Sequence, residues 1–320
     1  MRLSGLVFLP LLSAVPYASS EAPQSCFSKL DIAGGLHKNV ECSSVLRGMK
    51  VTYNVPKPCA TGASCGIVFD VHGLAMDADE EDAGTSMREI TAAHDFILVQ
   101  PTAPGHNWET ADNCQGKDAC PGDGAVVALL QQALDNPRWN VSKARAHFMG
   151  FSEGGMMTAR LMCHYPGAFA SLVSMEGAGA VPPPFECLNS STPQPPLLIQ
   201  MGWNDVLMTP PGGTGHAMSD PPMQHVSHVW GLGAGETIGG DNSTWQRTRY
   251  LGHTGVALDF LNYSYVADYP LKGHCFPGST SVPFGCPGAK ERRKGQKAAY
   301  RIGEVAMEFF LANPGPATEV

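Results

Sequence analysis

Short, nearly unbroken apolar runs, each cut off by a polar residue, Gly or Pro, constrain this chain more than any other feature. Gly66–Val71 reads GIVFDV, Phe96–Gln100 reads FILVQ and is stopped by Pro101, Ser171–Met175 reads SLVSM, and Leu197–Met201 reads LLIQM. Runs of five or six residues are too short for helices and read as strands. A strand that is apolar on both sides belongs in the middle of a parallel sheet, covered on both faces. Met49–Val55 alternates like an early strand, Ala146–Met149 is a further short one, and Leu258–Val266 is the last clear one. Between them Met87–His94, Ala125–Leu134 and Met156–Cys163 have helical spacing, and Lys297–Leu311 suits a closing amphipathic helix. Strands alternating with helices predict an α/β chain with a mostly parallel central sheet and helices on both faces. Without an internal repeat or a linker, the expectation is a single catalytic domain over residues 21–320, after a leader over residues 1–20.

That leader has the parts of a signal peptide: Arg2, the apolar stretch Leu6–Leu12, and small residues at Ala18-Ser19-Ser20. The stretch is too short to span a bilayer, so the expectation is a secreted, extracellular protein with no membrane anchor. Ten cysteines, an even number, suit disulfides formed in an oxidising compartment. Close spacing marks Cys59–Cys65, Cys114–Cys120 and Cys275–Cys286 as candidate local bridges, with the connectivity left open. No paired C-x-x-C favours zinc. Sequons at Asn140, Asn189, Asn242 and Asn262 predict N-glycosylation. With only 16% charged residues and a net charge of −8, the chain is a poor partner for nucleic acid.

The chemistry begins at Gly150-Phe151-Ser152-Glu153-Gly154, a G-x-S-x-G sequence between a strand and a helix. A nucleophilic serine on such a sharp turn needs small neighbours, and the N–H of the next residue then faces the oxyanion. This is the elbow of the α/β-hydrolase fold, in which a second oxyanion donor comes from the loop after an earlier strand. His72-Gly73-Leu74 ends GIVFDV, so the backbone N–H groups of Leu74 and Glu153 are assigned to the oxyanion hole. His72 is read as shaping that loop, since a triad uses one base. The chain order Ser, then acid, then His selects Asp205, just after LLIQM, and His274, after the last strand. Asp259 and Asp268 are weaker alternatives for the acid.

Trp108 and Trp203 are candidates for the substrate cleft, with core packing beside the acid as the other reading of Trp203. His216, His225 and His228 include an i, i+3 pair that a metal could use, but a polar surface loop is the preferred reading. Asp77–Asp82 lacks the calcium-loop pattern and reads as a solvated helix start. The Gly-, Pro- and His-rich segment Thr209–Gly240 reads as an irregular cap or substrate loop. No cofactor or metal is required by the chemistry these residues offer.

Taken together, FDVHG at Phe69–Gly73, Asn107-Trp108, DGAVVALL at Asp123–Leu130, GFSEGGMMTARLMCHYPGAFA at Gly150–Ala170, GWNDVLMTP at Gly202–Pro210 and GHCFPG at Gly273–Gly278 resemble the secreted polyhydroxybutyrate-depolymerase and feruloyl-esterase group of α/β-hydrolases. The resemblance implies Ser152, Asp205 and His274 as a catalytic triad. It implies hydrolysis of hydroxycinnamoyl esters on plant polysaccharide, or of poly(3-hydroxybutyrate) and its oligomers. Phe276 stands where that group usually has Trp. A serine peptidase and a non-catalytic secreted binding protein are the competing classes, the second requiring a broken triad.

Overall fold

The computed structural model describes residues 25–27, 34–108, 120–178, 185, 187–208, 218, 221–241, 243–267, 272–281, 284–286 and 298–316. The leader, Cys114, His216, Asn242, Asp268 and part of Thr209–Gly240 lie outside the described residues.

In chain order the elements are β1 (Gly35–Glu41), β2 (Lys50–Val55), α1 (Lys57–Ala60), β3 (Ser64–Val71), α2 (Ala78–Thr85), α3 (Met87–Ala93), β4 (Phe96–Thr102), α4 (Pro121–Leu134), β5 (Asn140–Phe151), α5 (Glu153–His164), β6 (Ser171–Met175), β7 (Leu197–Gly202), α6 (Pro221–Trp230), β8 (Glu236–Gly240), β9 (Trp245–Leu251), β10 (Ala257–Tyr263), β11 (Phe276–Pro277), β12 (Gly285–Cys286) and α7 (Ile302–Ala312). Ten strands form one sheet in the order β1-β2-β4-β3-β5-β6-β7-β10-β9-β8. The neighbours from β4 through β10 pair parallel, and an antiparallel pair extends each edge.

Alternate residues of the central strands feed two cores. Ile67, Phe69 and Val71 of β3 pack on one face with Val126 and Leu129 of α4 and Met157 and Leu161 of α5. Val68 packs on the other with Met87 of α3 and Ile302, Phe309 and Phe310 of α7. Each such buried side chain contributes about 1.5–3 kcal/mol, so both sheet faces need a helical cover. The apolar runs therefore sit where their composition demands.

Several boundaries differ from the sequence expectation. The helix expected at Ala125 begins at Pro121, because Pro fits the first helical turn and the Asp123 carboxylate accepts the Cys120 N–H at 3.2 Å. The acidic stretch is the start of α2: Asp77 Oδ1 accepts the Asp79 and Glu80 N–H groups, and Glu80 returns a bond to the Asp77 N–H. It is not wholly solvated, since Glu81 is fully buried. The last central strand ends at Tyr263 rather than Val266, and the closing helix starts at Ile302 rather than Lys297.

Thr209–Gly240 is not irregular throughout, because its described part holds α6 and β8. Met223, Val226 and Trp230 form the buried stripe of α6, a spacing obscured by the Pro and His residues around it. The polar edge strands β1, β8 and β9 escape an apolar-run reading. On β9, Arg247 and Arg249 hold the buried Asp259 of β10 at 2.7 Å each, which removes Asp259 as a candidate acid.

Disulfides join Cys26–Cys42, Cys59–Cys65, Cys163–Cys187 and Cys275–Cys286. Cys120 is also disulfide-bonded. Among the described residues no helix is long and apolar enough to cross a membrane.

Candidate active site

Ser152 occupies the turn between β5 and α5 with φ 53° and ψ −112°, a conformation that non-glycine residues rarely adopt. Such a residue costs about 1–3 kcal/mol and persists only where the surroundings enforce it. Here the Ser152 N–H donates to Met175 O at 2.8 Å. The two motif glycines are set by close approach. A Cβ on Gly150 would lie 2.5 Å from the Gly154 carbonyl carbon, and one on Gly154 would lie 2.1 Å from Val71 O.

Asp205 and His274 come from the loops after β7 and β10. The loops are stitched together by a bridge between Asp205 and Lys272 and by the Gly273 N–H on Asn204 O at 3.1 Å. His274 Nδ1 lies 2.8 Å from Asp205 Oδ2, while Asp205 Oδ1 accepts the Leu207 and Met208 N–H groups at 2.8 and 3.0 Å. Burial alone would raise the Asp205 carboxyl, but its bond to His274 and the charge there outweigh it and hold the group below the usual carboxylate value. The carboxylate thus fixes Nδ1 as the protonated nitrogen and leaves Nε2 as the acceptor.

Ser152 and His274 line one cavity of about 310 Å³. No hydrogen bond is closed between their side chains, a contact that is often long before substrate binds. The cavity is also lined by Gly73, Leu74 and Glu153 and by an apolar set that includes Met76, Met156, Leu207 and Phe284. Both residues assigned to the oxyanion hole therefore border the same cavity as the serine. His72 is fully buried and takes the Ala103 N–H on Nε2 at 3.1 Å, so its Nδ1–H donates to Gly73 O at 2.6 Å. Burial lowers its pKa to about 4, and the ring shapes the loop as a neutral group.

Trp108 does not match its assignment. Trp108 is 1% exposed and does not border the cavity. Its indole N–H donates to His72 O at 3.0 Å and its backbone N–H to Glu153 Oε2 at 2.9 Å, so it braces the loop rather than meeting substrate. Trp203 is 52% exposed, which rules out core packing, and it is not among the residues lining the cavity. His225 donates to Leu188 O at 3.1 Å from α6, which accounts for it without a metal.

Sequence reasoning missed the Glu153 carboxylate and a second acid, Glu176. Glu176 follows β6 with φ 51°, is fully buried, and places acceptor atoms within 4.8 Å of those of Asp205 and His274. A charged residue directly after the buried strand SLVSM, flanked by glycine, was the signal available. Phe276, the departure from the usual Trp, stacks on Phe151 at 4.1 Å between ring centroids, and Phe151 lies 4.8 Å from the His274 ring.

A sheet of this topology with a serine elbow after its central strand defines the α/β-hydrolase fold. An acetyl xylan esterase from Aspergillus awamori superposes with TM-score 0.51 at 14% identity, over 67% of this chain and 87% of that one. A thermostable esterase gives the same TM-score and identity over 83% and 59%. In sequence the chain is similar to feruloyl esterase B of Thermothelomyces thermophilus, 29% identical over 32% of this chain and 36% of the relative. It is also similar to acetylxylan esterase A of Talaromyces purpureogenus, 26% identical over 72% of this chain and 55% of the relative. The chain thus spans between about a third and just over half of the length of these curated relatives. No family model matches it.

Proposed function

We propose that this chain is a secreted serine carboxylic-ester hydrolase acting on esters carried by plant polysaccharide, with residues 21–320 as one catalytic domain. The observation that carries the reading is the Asp205–His274 pair, closed at 2.8 Å, facing a cavity shared with a serine held at positive φ. Ser152 Oγ attacks the ester carbonyl while His274 Nε2 takes its proton, and Asp205 stabilises the imidazolium. The Leu74 and Glu153 N–H groups receive the developing oxyanion. His274 returns its proton to the departing alcohol, then activates the water that frees the acid.

The apolar lining of Met76, Phe151, Met156, Met208 and Phe284 supports an aromatic acyl group, and hydroxycinnamoyl esters are the favoured substrate. The likeness to acetylxylan esterase A, which extends over 72% of the chain, supports acetyl esters of xylan as the second reading. The disulfides support an oxidising, extracellular setting. Asn140 and Asn189 are exposed and open to glycosylation, whereas Asn262 lies half-buried in β10.

Initial rates on methyl ferulate, 4-nitrophenyl acetate, acetylated xylan and hydroxybutyrate oligomers test the reading. Preference for methyl ferulate supports the hydroxycinnamoyl assignment. Preference for the acetyl esters transfers the same machinery to the second reading. Inactivity of the folded protein on all four refutes the esterase assignment.

A further inference from the structure

Against the Asp205–His274 pair sits a carboxyl group that the mechanism above does not use. Glu176 Oε1 faces the Gln200 side-chain amide at 2.9 Å and the Tyr263 hydroxyl at 2.7 Å, and Oε2 accepts the Gly202 N–H at 3.0 Å. The Glu176 carboxyl also lies against Asp205, with an oxygen of each within 4.8 Å. The surroundings are dry, since Glu176, Tyr263 and the backbone at Gly273 and Cys275 are packed together inside the protein.

Counting hydrogens decides the charge of this group. The Tyr263 oxygen lies 2.6 Å from Gly273 O, 2.8 Å from Cys275 O and 2.7 Å from Glu176 Oε1. A phenol has one hydrogen, and carbonyls only accept. Tyr263 thus faces three acceptors with one hydrogen, and Glu176 Oε1 is one of them. The approach to Asp205 is what demands a proton on Glu176, because two buried carboxyl groups this close do not both ionise. Asp205 already accepts three N–H groups, from His274, Leu207 and Met208, and is the partner that stays ionised.

We propose that Glu176 is a positioning residue of this site: a neutral carboxylic acid that hydrogen-bonds Asp205 and Tyr263 and holds the Asp205–His274 pair in register without adding a second negative charge. The proposal rests on the serine-esterase reading. Asp205, His274, Tyr263 and Tyr300 are the titratable groups that bear on Glu176. Burial, reinforced by the Asp205 charge, pushes Glu176 well above the ordinary carboxylate range, and burial likewise keeps both tyrosines neutral. A second anion here would overstabilise the imidazolium and leave His274 charged when it must act as base.

The test compares Glu176→Ala with Glu176→Gln, which keeps the size, the neutrality and a hydrogen-bond donor. For 4-nitrophenyl acetate, Glu176→Ala is expected to lose about 10- to 100-fold in kcat with little change in KM, the scale set by groups that orient an active residue. Glu176→Gln is expected to recover kcat to within about threefold of wild type, the scale of one exchanged neutral hydrogen bond, on the wild-type pH profile. The infrared difference spectrum of wild type minus Glu176→Gln at neutral pH should show the carbonyl stretch of a protonated carboxyl. Ser152→Ala should retain that band, so the protonation state is read independently of turnover. The proposal is overturned if the band is missing. It is equally overturned if Glu176→Gln is as impaired as Glu176→Ala with its acid limb moved to lower pH. Activity lost to EDTA and regained with a divalent cation would assign the cluster to a cation instead. A wild-type protein that hydrolyses no ester refutes the esterase reading, and the positioning role with it, while the infrared band still reports the charge of Glu176.

Discussion

The residue after the nucleophile, Glu153, accepts the backbone N–H of Trp108 on its carboxylate at 2.9 Å, and Trp108 in turn donates its indole N–H to His72 O. The loop after β3 and the turn after Ser152, the two segments proposed to form the oxyanion hole, are thereby tied together through one buried tryptophan. Trp108→Phe keeps the ring but leaves the His72 carbonyl without its donor, a loss of about 1–3 kcal/mol. The expected result is a lower Tm and a lower kcat at nearly constant KM, read by calorimetry and steady-state kinetics. A fall in kcat/KM carried by KM alone would return Trp108 to the substrate cleft.

Gly84 of α2 faces the Phe276 ring so closely that a Cβ there would lie 2.5 Å from Cδ2. Alanine in a helix gains up to about 1 kcal/mol over glycine, but overpacking a filled core costs about 1–3 kcal/mol. The clash prevails. Phe276 bears on Phe151 and through it on His274, so Gly84→Ala should lower both Tm and kcat. The double variant Gly84→Ala with Phe276→Leu should recover part of each, a coupling that a double-mutant cycle measures.

Asp205→Asn keeps the shape of the acid but removes the charge that faces His274. Loss of the correct imidazole tautomer lowers kcat by roughly 10⁴-fold in a triad of this kind. A loss under tenfold in presteady-state acylation would show that another group orients the imidazole.

The pH dependence of stability has a separate source, a buried carboxyl pair on β3 and α2. Burial raises Asp70 from 3.8 to about 6, and burial together with the Asp70 charge raises Glu81, fully buried beside it, well above the usual carboxylate value. The folded state binds more protons than the unfolded chain between those values. This contribution is therefore full below about 3.8 and is lost as pH rises through about 6. It amounts to at most about 3 kcal/mol. Asp205 has the opposite sign, stabilising above the unfolded carboxylate value and failing as pH falls through its lowered one. Asp70→Asn, which offers Glu81 an N–H, should raise Tm at pH 7 relative to wild type, with the gap closing toward pH 4. Parallel melting curves across that range would contradict it.

The central sheet was legible because a parallel strand must be apolar on both faces, as in GIVFDV and SLVSM. The residues facing the cleft were legible because the fold orders them along the chain, which brings Ser152, Asp205 and His274 to adjoining loops. The edge strands were not, since β9 alternates arginines that satisfy Asp259, an acid near the start of its neighbour β10. Trp108 and Glu176 were misread or missed for one reason: their roles lie in hydrogen bonds to backbone and to residues far away in sequence. An aromatic next to a motif looks the same in sequence whether it lines a cleft or braces a loop.

Stoichiometric labelling with a fluorophosphonate, followed by mass spectrometry and residual activity, tests the central claim most directly. One adduct per chain on the peptide containing Ser152, with ester hydrolysis falling in step and both absent in Ser152→Ala, is the predicted result. Full hydrolysis by Ser152→Ala, or by a fully labelled protein, would contradict the assignment of Ser152 as nucleophile.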